Sequence, residues 1–213
     1  MHEMDKKRNR LRQEQIIKSL ALRNIEAVFA DTKEDALKLA LEMIPEGSIV
    51  GCGGVMSAHE IGLIDAIRTG NYSFLDRDGA KSPEEKKKIE LDTLHNCDYF
   101  ISSVNGMSEN GVFVNVDGNA NRVAAIAQGP RHVLFIVGMN KIVHSEEDAY
   151  NRAKYIAAPI NAQRFGLSTP CGITGKCADC LMEQCICCQI LITRYSKHKD
   201  RMKMIIVNED LGF

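Results

Sequence analysis

The residues of this sequence with the clearest potential for chemistry are its cysteines, which are concentrated towards the C-terminus. The chain has 8 cysteines in 213 residues, and six of them fall within the 18 residues from Cys171 to Cys188. They read C-x5-C-x2-C-x4-C-x-C-C, and Cys177 and Cys180 form a C-x2-C knuckle. A short loop that brings deprotonated thiolates together is typical of a metal site. Cys171 and one of the later cysteines would complete a set of four.

The meaning of this cluster depends on the compartment. The segment Met1–Leu20 is charged and lacks the apolar region of a secretory signal, and no apolar run is long enough to span a membrane. We therefore expect a cytoplasmic protein whose thiols stay reduced and bind a metal. Four thiolates suit a tetrahedral zinc ion and an iron–sulfur cluster alike. Because the ligands come from one short loop, we favour the cluster and keep zinc as the alternative. Cys52 and Cys97 are interpreted as small buried hydrophobes.

A glycine-rich turn between a predicted strand and a predicted helix is a second candidate site. Gly53 and Gly54 let a backbone approach a ligand closely, and the helix N-terminus that follows suits a phosphate or carboxylate. The turn is neither a P-loop nor a dinucleotide fingerprint, since no Gly-Lys-Ser/Thr follows and Met56 stands where a third glycine is needed. The alternative is structural, because Ser57 and Glu60 match a capping box that satisfies backbone N–H groups.

Polar side chains also follow three further predicted strands. Loops at the carboxyl ends of parallel strands meet at one edge of a sheet, so we expect these loops and the glycine turn to converge. An arginine there forms a bidentate clamp on a carboxylate or phosphate, although each loop also has a structural explanation as an Asx turn, a cap or a solvated side chain. The predicted substrate-binding residues are Gly53, Gly54, Ser57, Asn105, Asn121, Arg122, Asn140 and Lys141, and the predicted catalytic carboxylates are Glu60 and Glu109.

The elements that position these residues alternate between strands and helices through the first 160 residues. This alternation predicts the α/β class, with a mainly parallel sheet flanked by helices. Asn110-Gly111, just before the predicted strand Val112–Val116, is a hairpin signal and predicts one antiparallel departure. Asp31 is predicted to cap the second helix. Single helices are predicted over residues 57–68 and over residues 146–156, the latter ending before Pro159.

The domain organisation follows from a change in composition after Phe165. Residues 1–165 are predicted to form the α/β domain with an N-terminal helix, and residues 166–213 to supply the Cys-rich loop and two closing strands, 189–195 and 202–207, of the same domain. The 27 Lys and Arg residues nearly cancel the 28 Asp and Glu residues, so a general attraction to nucleic acid is not expected. With 45% hydrophobic residues, the composition is that of an ordinary soluble globular protein.

In combination, these motifs resemble those of the lactate-utilisation (LUD) domain family, in its Cys-containing branch. The resemblance covers roughly Gln13 to Arg194 and depends on an ordered series of motifs rather than on any one of them. The series comprises Gly53-Gly54 with Ser57, Glu60-Ile61-Gly62-Leu63, Asp117-Gly118 with Asn121-Arg122-Val123, Gly129-Pro130, Val137-Gly138 with Asn140-Lys141-Ile142-Val143, Ala158-Pro159 with Asn161-Ala162, Thr169-Pro170-Cys171, and Thr174-Gly175-Lys176-Cys177 with Asp179-Cys180.

The resemblance implies a fold related to sugar-phosphate isomerases and CoA transferases, with a substrate crevice at the Gly53-Gly54 turn. It also implies the fourth metal ligand, since the Cys-containing branch has a cysteine seven residues after Cys180. The implied metal ligands are Cys171, Cys177, Cys180 and Cys187. Cys185 and Cys188 stand where such relatives often carry other residues and are either spare thiols or replacements for Cys187. Ala120 stands where the family pattern tends to have glycine.

The role attributed to the family is the oxidation of L-lactate to pyruvate alongside iron–sulfur partner proteins. The resemblance therefore implies an accessory or subunit of an iron–sulfur oxidoreductase system that acts on lactate or a similar small 2-hydroxy acid, with a 4Fe-4S cluster and a small anionic substrate. The alternatives are an isomerase-like or acyl-transfer-like enzyme, or a metabolite-binding protein, each with a structural zinc. The sequence leaves open whether the chain is itself an enzyme and whether it forms a homo-oligomer.

Overall fold

A six-stranded parallel sheet forms the centre of the structure, a computed structural model that describes residues 2–213. Its strands are β1 (Glu26–Ala30), β2 (Ile49–Cys52), β3 (Ser73–Leu75), β4 (Tyr99–Ser102), β7 (His132–Gly138) and β10 (Met202–Val207). They lie in the order β1-β10-β7-β4-β2-β3, and every neighbouring pair is parallel. The predicted α/β class with a mainly parallel sheet is confirmed.

The chain also forms a second sheet, of four strands. Its strands are β5 (Gly106–Ser108), β6 (Phe113–Asp117), β8 (Ile142–Val143) and β9 (Gln189–Thr193), in the order β8-β5-β6-β9. The predicted hairpin is present, because β5 pairs antiparallel with β6. A second antiparallel pair, formed by β9 and β6, lies in the same sheet. Both antiparallel pairs are therefore separate from the parallel sheet.

The two closing strands do not pair with each other, because their side chains suit different sheets. Strand β10 is buried along almost its whole length and lies between β1 and β7, as expected for an apolar run in a sheet covered on both faces. Strand β9 exposes Ile190 and Ile192 and occupies the edge of the four-stranded sheet. The C-terminal segment thus completes both sheets.

Helices cover both faces of the parallel sheet. They are α1 (Glu3–Ala21), α2 (Lys33–Met43), α3 (Met56–Glu60), α4 (Leu63–Thr69), α5 (Pro83–Asn96), α6 (Asn121–Ala127), α7 (Glu146–Arg152), α8 (Ala158–Arg164) and α9 (Pro170–Thr174). Alternating side chains of β7 explain the two covers, because Leu134 and Ile136 join the core under α2 and α4, whereas Phe135 joins the core under α1 and α6. Among residues 2–213, no helix has the length and apolar character needed to cross a membrane.

Three predicted helix boundaries are wrong, each for a local reason. Gly62 has φ +78°, a left-handed conformation that favours glycine, and it divides the predicted helix 57–68 into α3 and α4. The second helix is capped by Thr32, whose hydroxyl accepts a hydrogen bond from Asp35 N at 3.1 Å, and not by Asp31. The helix does not stop before Pro159, because a π-helical turn at Ala153–Ala157 continues it into α8, which contains Pro159.

Candidate functional site

A cavity of about 150 Å³ lies at the carboxyl ends of β2, β4 and β7, beside the end of β6. The loops that follow these four strands converge on it, as the sequence predicts. The predicted binding residues on its wall are Gly54, Asn105, Asn121, Arg122 and Lys141. The structure thus brings side chains from distant parts of the chain to one space at the edge of the sheet. This edge is the usual ligand site of open α/β folds.

Lys141 is the most deeply buried charged group of this cavity, with 3% of its surface exposed. Its Nζ donates hydrogen bonds to Ser57 Oγ at 2.9 Å and to Ser103 Oγ at 3.0 Å. Burial, together with the positive charges of Arg152 and Arg122, lowers the pKa of Lys141 from 10.5 to about 7. Near neutral pH the side chain can therefore donate or accept a proton.

Ser57 serves this lysine and does not cap a helix. The residue at the start of α3 is Val55, which makes no side-chain capping bond, and Ser57 is fully buried inside the helix. Glu60 accepts a hydrogen bond from Gly212 N at 3.0 Å instead of turning back to the start of α3. The capping-box alternative is wrong, because the ammonium group of Lys141 offers Ser57 a charge-assisted bond in the interior.

The Arg122 side chain is held by neutral acceptors. Its Nη2 donates to Asn105 Oδ1 at 2.8 Å and to Val116 O at 2.5 Å. Asp117 instead accepts from the backbone, with Oδ2 at 2.9 Å from Arg122 N and 3.1 Å from Val123 N, and so caps α6. Burial lowers the pKa of Arg122, against the opposing effect of Asp117. A buried guanidinium without a carboxylate on its donors is suited to a bound anion.

The glycine turn makes room for two arginine side chains at the cavity. A Cβ atom on Gly53 would lie 3.0 Å from Arg122 Cδ, and a Cβ atom on Gly54 would lie 3.3 Å from Arg164 Nη2. The absence of side chains on the turn therefore lets two guanidinium-bearing chains pass over it. Next to them, Ala120 has φ +63°, a left-handed conformation that explains why glycine would suit that position.

Asn140 lies just outside the cavity and has a structural part. Its Oδ1 accepts a hydrogen bond from Leu211 N at 3.1 Å, which fastens the C-terminal segment to the loop after β7. Its carbonyl accepts a bond from Arg152 Nε at 3.0 Å, and Arg152 Nη1 also donates to Asn105 O. Arg152 thus joins two of the loops that shape the cavity. Burial lowers its pKa to about 10.

Neither predicted catalytic carboxylate lines this cavity. Glu60 is exposed and bonded to Gly212, as described above. Glu109 lies in a different groove, where its Oε1 accepts from Arg12 Nε at 2.8 Å and its Oε2 is 3.5 Å from His144 Nδ1. The proton-active side chain that the cavity does contain is Lys141.

Three arginines around the cavity were not predicted from the sequence. Arg77 and Arg164 line it, and Arg152 supports it from behind. Arg77 lies in a polar loop and Arg164 at the end of a helix, where their residue types give no signal. Arg152 offers a weak one, since it lies between Ala149 and Ala153, both fully buried.

The six clustered cysteines line a second cavity of about 380 Å³. Cys171 is buried, with its Sγ 3.3 Å from Thr169 Oγ1, and Cys188 is exposed and directs its thiol to Cys185 O at 3.2 Å. Burial raises the pKa of Cys187 to about 12, and the thiols of Cys185, Cys171, Cys177 and Cys180 around it act in the same direction. The loop therefore gathers its thiols around one space.

Cys52 and Cys97 lie outside the cluster of six cysteines. All eight cysteines are free thiols, and Cys52 and Cys97 are buried in the core, where burial raises the pKa of each to about 12. Across residues 2–213, the structure has no group of three or more Cys, His, Asp and Glu side chains arranged so as to hold a metal ion. The thiols line the wall of the cavity and are not gathered at a point.

The two cavities share a wall. Val116, Ala158 and Ile186 line both of them. Gly118 makes this approach close, because a Cβ atom there would lie 3.1 Å from Ile186 Cα and 3.4 Å from Cys185 O. The cysteine loop therefore packs directly against the polar turn that carries Asn121 and Arg122.

Comparisons with known proteins agree with this fold. The family model described as the LUD domain matches residues 13–207. Among solved structures, a DUF162 family protein from Deinococcus radiodurans is similar at 12% identity, over 92% of this chain and 95% of that one, with a TM-score of 0.51. The eIF2B beta and delta proteins from Chaetomium thermophilum are 16% and 14% identical, over 55% and 57% of this chain and 44% and 54% of theirs, with TM-scores of 0.38 and 0.36. The comparison with curated proteins finds no match.

Proposed function

Because the chain belongs to the LUD domain family, a lactate-utilisation type of protein, we propose that it binds a small 2-hydroxy acid beside an iron–sulfur cluster and serves an electron-transferring oxidoreductase system. The observation that carries the proposal is the shared wall of the two cavities. Val116, Ala158 and Ile186 line both the space that contains Arg122 and Lys141 and the space that contains the cysteines. A substrate in one cavity would lie next to a redox centre in the other.

The substrate cavity has groups for each part of a 2-hydroxy acid. The guanidinium of Arg122 is anchored by Asn105 and Val116 and supplies donors for a carboxylate. Lys141 is fixed by two serine hydroxyls and titrates near neutral pH, so it can hold the proton that leaves the 2-hydroxyl group. In this arrangement Arg122 orients the acid and Lys141 is the proton acceptor.

The cysteine cavity has a donor set that fits a 4Fe-4S cluster better than a single zinc ion. Zinc needs its sulfur ligands gathered around one point, whereas a cubane cluster takes one thiolate on each iron and fills the space between them. The thiols lie around a space of about 380 Å³, and Cys187 has Cys171, Cys177 and Cys180 among its neighbours. We assign these four residues as the ligands, with Cys185 and Cys188 beside them.

The redox balance of the proposal requires a partner. A bound iron–sulfur cluster supplies one-electron transfer. Conversion of a 2-hydroxy acid to the 2-oxo acid releases two electrons and two protons, of which the hydroxyl proton goes to Lys141 and the C2 proton to solvent. Because the cluster takes one electron at a time, a further acceptor must take electrons from this chain. We assign that part to iron–sulfur partner proteins, and we treat the chain as a subunit or accessory of the complete oxidoreductase.

The test of the proposal is whether a ligand bound in the substrate cavity changes the spectrum of a cluster in the cysteine cavity. Anaerobically purified protein is reduced with dithionite, and its electron paramagnetic resonance spectrum is recorded with and without L-lactate. We expect L-lactate to change the line shape in the wild type and not in R122M, which keeps all six clustered cysteines. A wild-type protein that lacks iron, or whose spectrum ignores L-lactate at saturating concentration, would contradict the proposal.

A further inference from the structure

The charges around the substrate cavity are unbalanced. Four cationic side chains line it, namely Arg77, Arg122, Lys141 and Arg164, and Asp117 is the one acidic side chain that lines it among residues 2–213. A cavity wall of this composition holds a strongly positive potential in a confined, partly dry space.

Two of these four cations are balanced locally. Arg77 is paired with Asp78 at 3.4 Å and with Glu90 at 3.3 Å. Arg122 lies beside Asp117, whose charge opposes the effect of burial on the arginine. Arg77 therefore leaves little net charge for a ligand, whereas Asp117 offsets the charge of Arg122 but leaves its guanidinium donors on neutral acceptors, where a carboxylate can reach them.

The other two cations form no ion pair with an acidic side chain in the part of the chain that the structure describes. Lys141 is bonded to two neutral hydroxyls, and Arg164 stacks on Phe165, with its guanidinium carbon 4.2 Å from the ring centroid. Glu60 and Asp78 act on them only from a distance, since Glu60 is bonded to Gly212 N and Asp78 is half-exposed beside Arg77. Arg164, together with Lys141 while it is protonated, thus leaves positive charge for a ligand.

These two charges lie at different depths. Lys141 is buried at the inner end, whereas Arg164 is exposed together with Gly54, Asn119 and Phe165, which mark the mouth of the cavity. A monoanionic ligand whose carboxylate is held by Arg122 beside Lys141 leaves Arg164 without an anionic partner. A ligand with a second anionic group would extend that group to the mouth.

From this charge distribution we infer that the cavity prefers a dianionic 2-hydroxy acid, with its hydroxy-acid end at Arg122 and Lys141 and a second anionic group at Arg164, over lactate. The inference depends on the proposed function, because the hydroxy-acid end is taken from it. The second group is a carboxylate or a phosphate, and both chemistries satisfy an exposed guanidinium.

The test is a comparison of dissociation constants by calorimetry at constant ionic strength, with L-lactate, L-malate, D-3-phosphoglycerate and, as a dianion without a hydroxyl group, succinate. We expect L-malate or D-3-phosphoglycerate to bind at least about tenfold more tightly than L-lactate, the gain of one added ion pair. In R164M this advantage should vanish, because the affinity for L-malate should fall by about tenfold and the affinity for L-lactate should fall by much less. The control R68M alters an arginine that is paired with Asp65 and Asp76, outside the cavity.

The outcomes separate the inference from the proposed function. Equal affinities for L-lactate, L-malate and D-3-phosphoglycerate would overturn the inference and leave the proposed function standing. Tight binding of succinate together with failure of all three hydroxy acids would overturn both. If L-malate or D-3-phosphoglycerate still binds R164M more tightly than L-lactate does, Arg164 does not bind the second anionic group. This result would also overturn the inference.

Discussion

Lys141 Nζ lies 2.9 Å from Ser57 Oγ, which links the loop after β7 to the first turn of α3 across the end of the sheet. The bond joins residues 84 positions apart and keeps an ammonium group in an interior that contains no ion-pair partner for it. Such a group costs stability while it is charged, and it is retained where a ligand or a reaction uses it.

The first prediction concerns the dependence of stability on pH. The folded-state pKa of Lys141, about 7, lies below its unfolded value of 10.5, so the unfolded chain binds more protons between these two values. The free energy of unfolding of the wild type should therefore rise with pH across this window relative to K141M, by at most about 1.4 kcal/mol per pH unit.

The measurement is urea denaturation of both proteins from pH 6 to pH 10.5 in buffers without phosphate or carboxylate. The variant should be the more stable protein at pH 7, because Ser57 and Ser103 keep bonds to Leu211 O and Ile136 O. A difference between the two curves that does not change with pH would mean that Lys141 titrates normally.

The second prediction concerns Arg152, which positions two loops and touches no ligand. Its donors serve the carbonyls of Asn105 and Asn140, and R152M would leave both acceptors without this partner in a buried place. We expect a loss of about 2–3 kcal/mol in the free energy of unfolding for R152M. R152K should lose less, because a lysine can still donate to one of the two carbonyls although it cannot reach both. R131M, at an exposed arginine, is the control, and equal effects of R152M and R131M would refute this role.

The third prediction concerns the glycine turn. In G53A the new methyl group would lie 3.0 Å from Arg122 Cδ and 3.1 Å from Arg122 Cγ, and the guanidinium would be pushed from Asn105 Oδ1. Binding of L-lactate should weaken by about tenfold, whereas the free energy of unfolding should fall by less than about 1 kcal/mol. The matched control is G79A, which does not line the cavity. Its methyl group would lie 3.5 Å from Asp76 Cγ, an ordinary van der Waals distance. Unchanged lactate binding in G53A would show that Arg122 does not hold the ligand.

The fourth prediction distinguishes the clustered cysteines from one another. Cys187 is enclosed by the other thiols, whereas Cys188 is exposed and donates to a backbone carbonyl. C187S should lose most of the bound iron and the visible absorbance, and C188S should keep both, when the two variants are purified anaerobically side by side. Loss of iron in C188S with full retention in C187S would show that the ligand set is shifted by one position.

The agreement between sequence and structure was good where periodicity or local chemistry decides. The alternation of strands and helices predicts the parallel sheet, and Asn110-Gly111 predicts the hairpin. The convergence of the loops after β2, β4 and β7 on one edge follows from the parallel topology, and the loop after β6 joins them from the other sheet. These features depend on neighbouring residues or on one repeated connection.

The errors arise where a distant residue competes with a local one. Ser57 and Glu60 have the spacing of a capping box, but each bonds to a distant residue instead. Ser57 accepts a hydrogen bond from Lys141, 84 positions away, and Glu60 accepts one from Gly212, 152 positions away. Arg77 and Arg164 reach the cavity only because of tertiary packing, which no local pattern reveals. Strands β9 and β10 are adjacent in sequence, yet their burial places them in different sheets.

The measurement that tests the central claim most directly is the metal and sulfide content of anaerobically purified protein, together with its absorbance spectrum. The proposed cluster predicts a brown protein with about four iron atoms and about four acid-labile sulfides per chain. A colourless protein with one zinc ion per chain and no labile sulfide would contradict it.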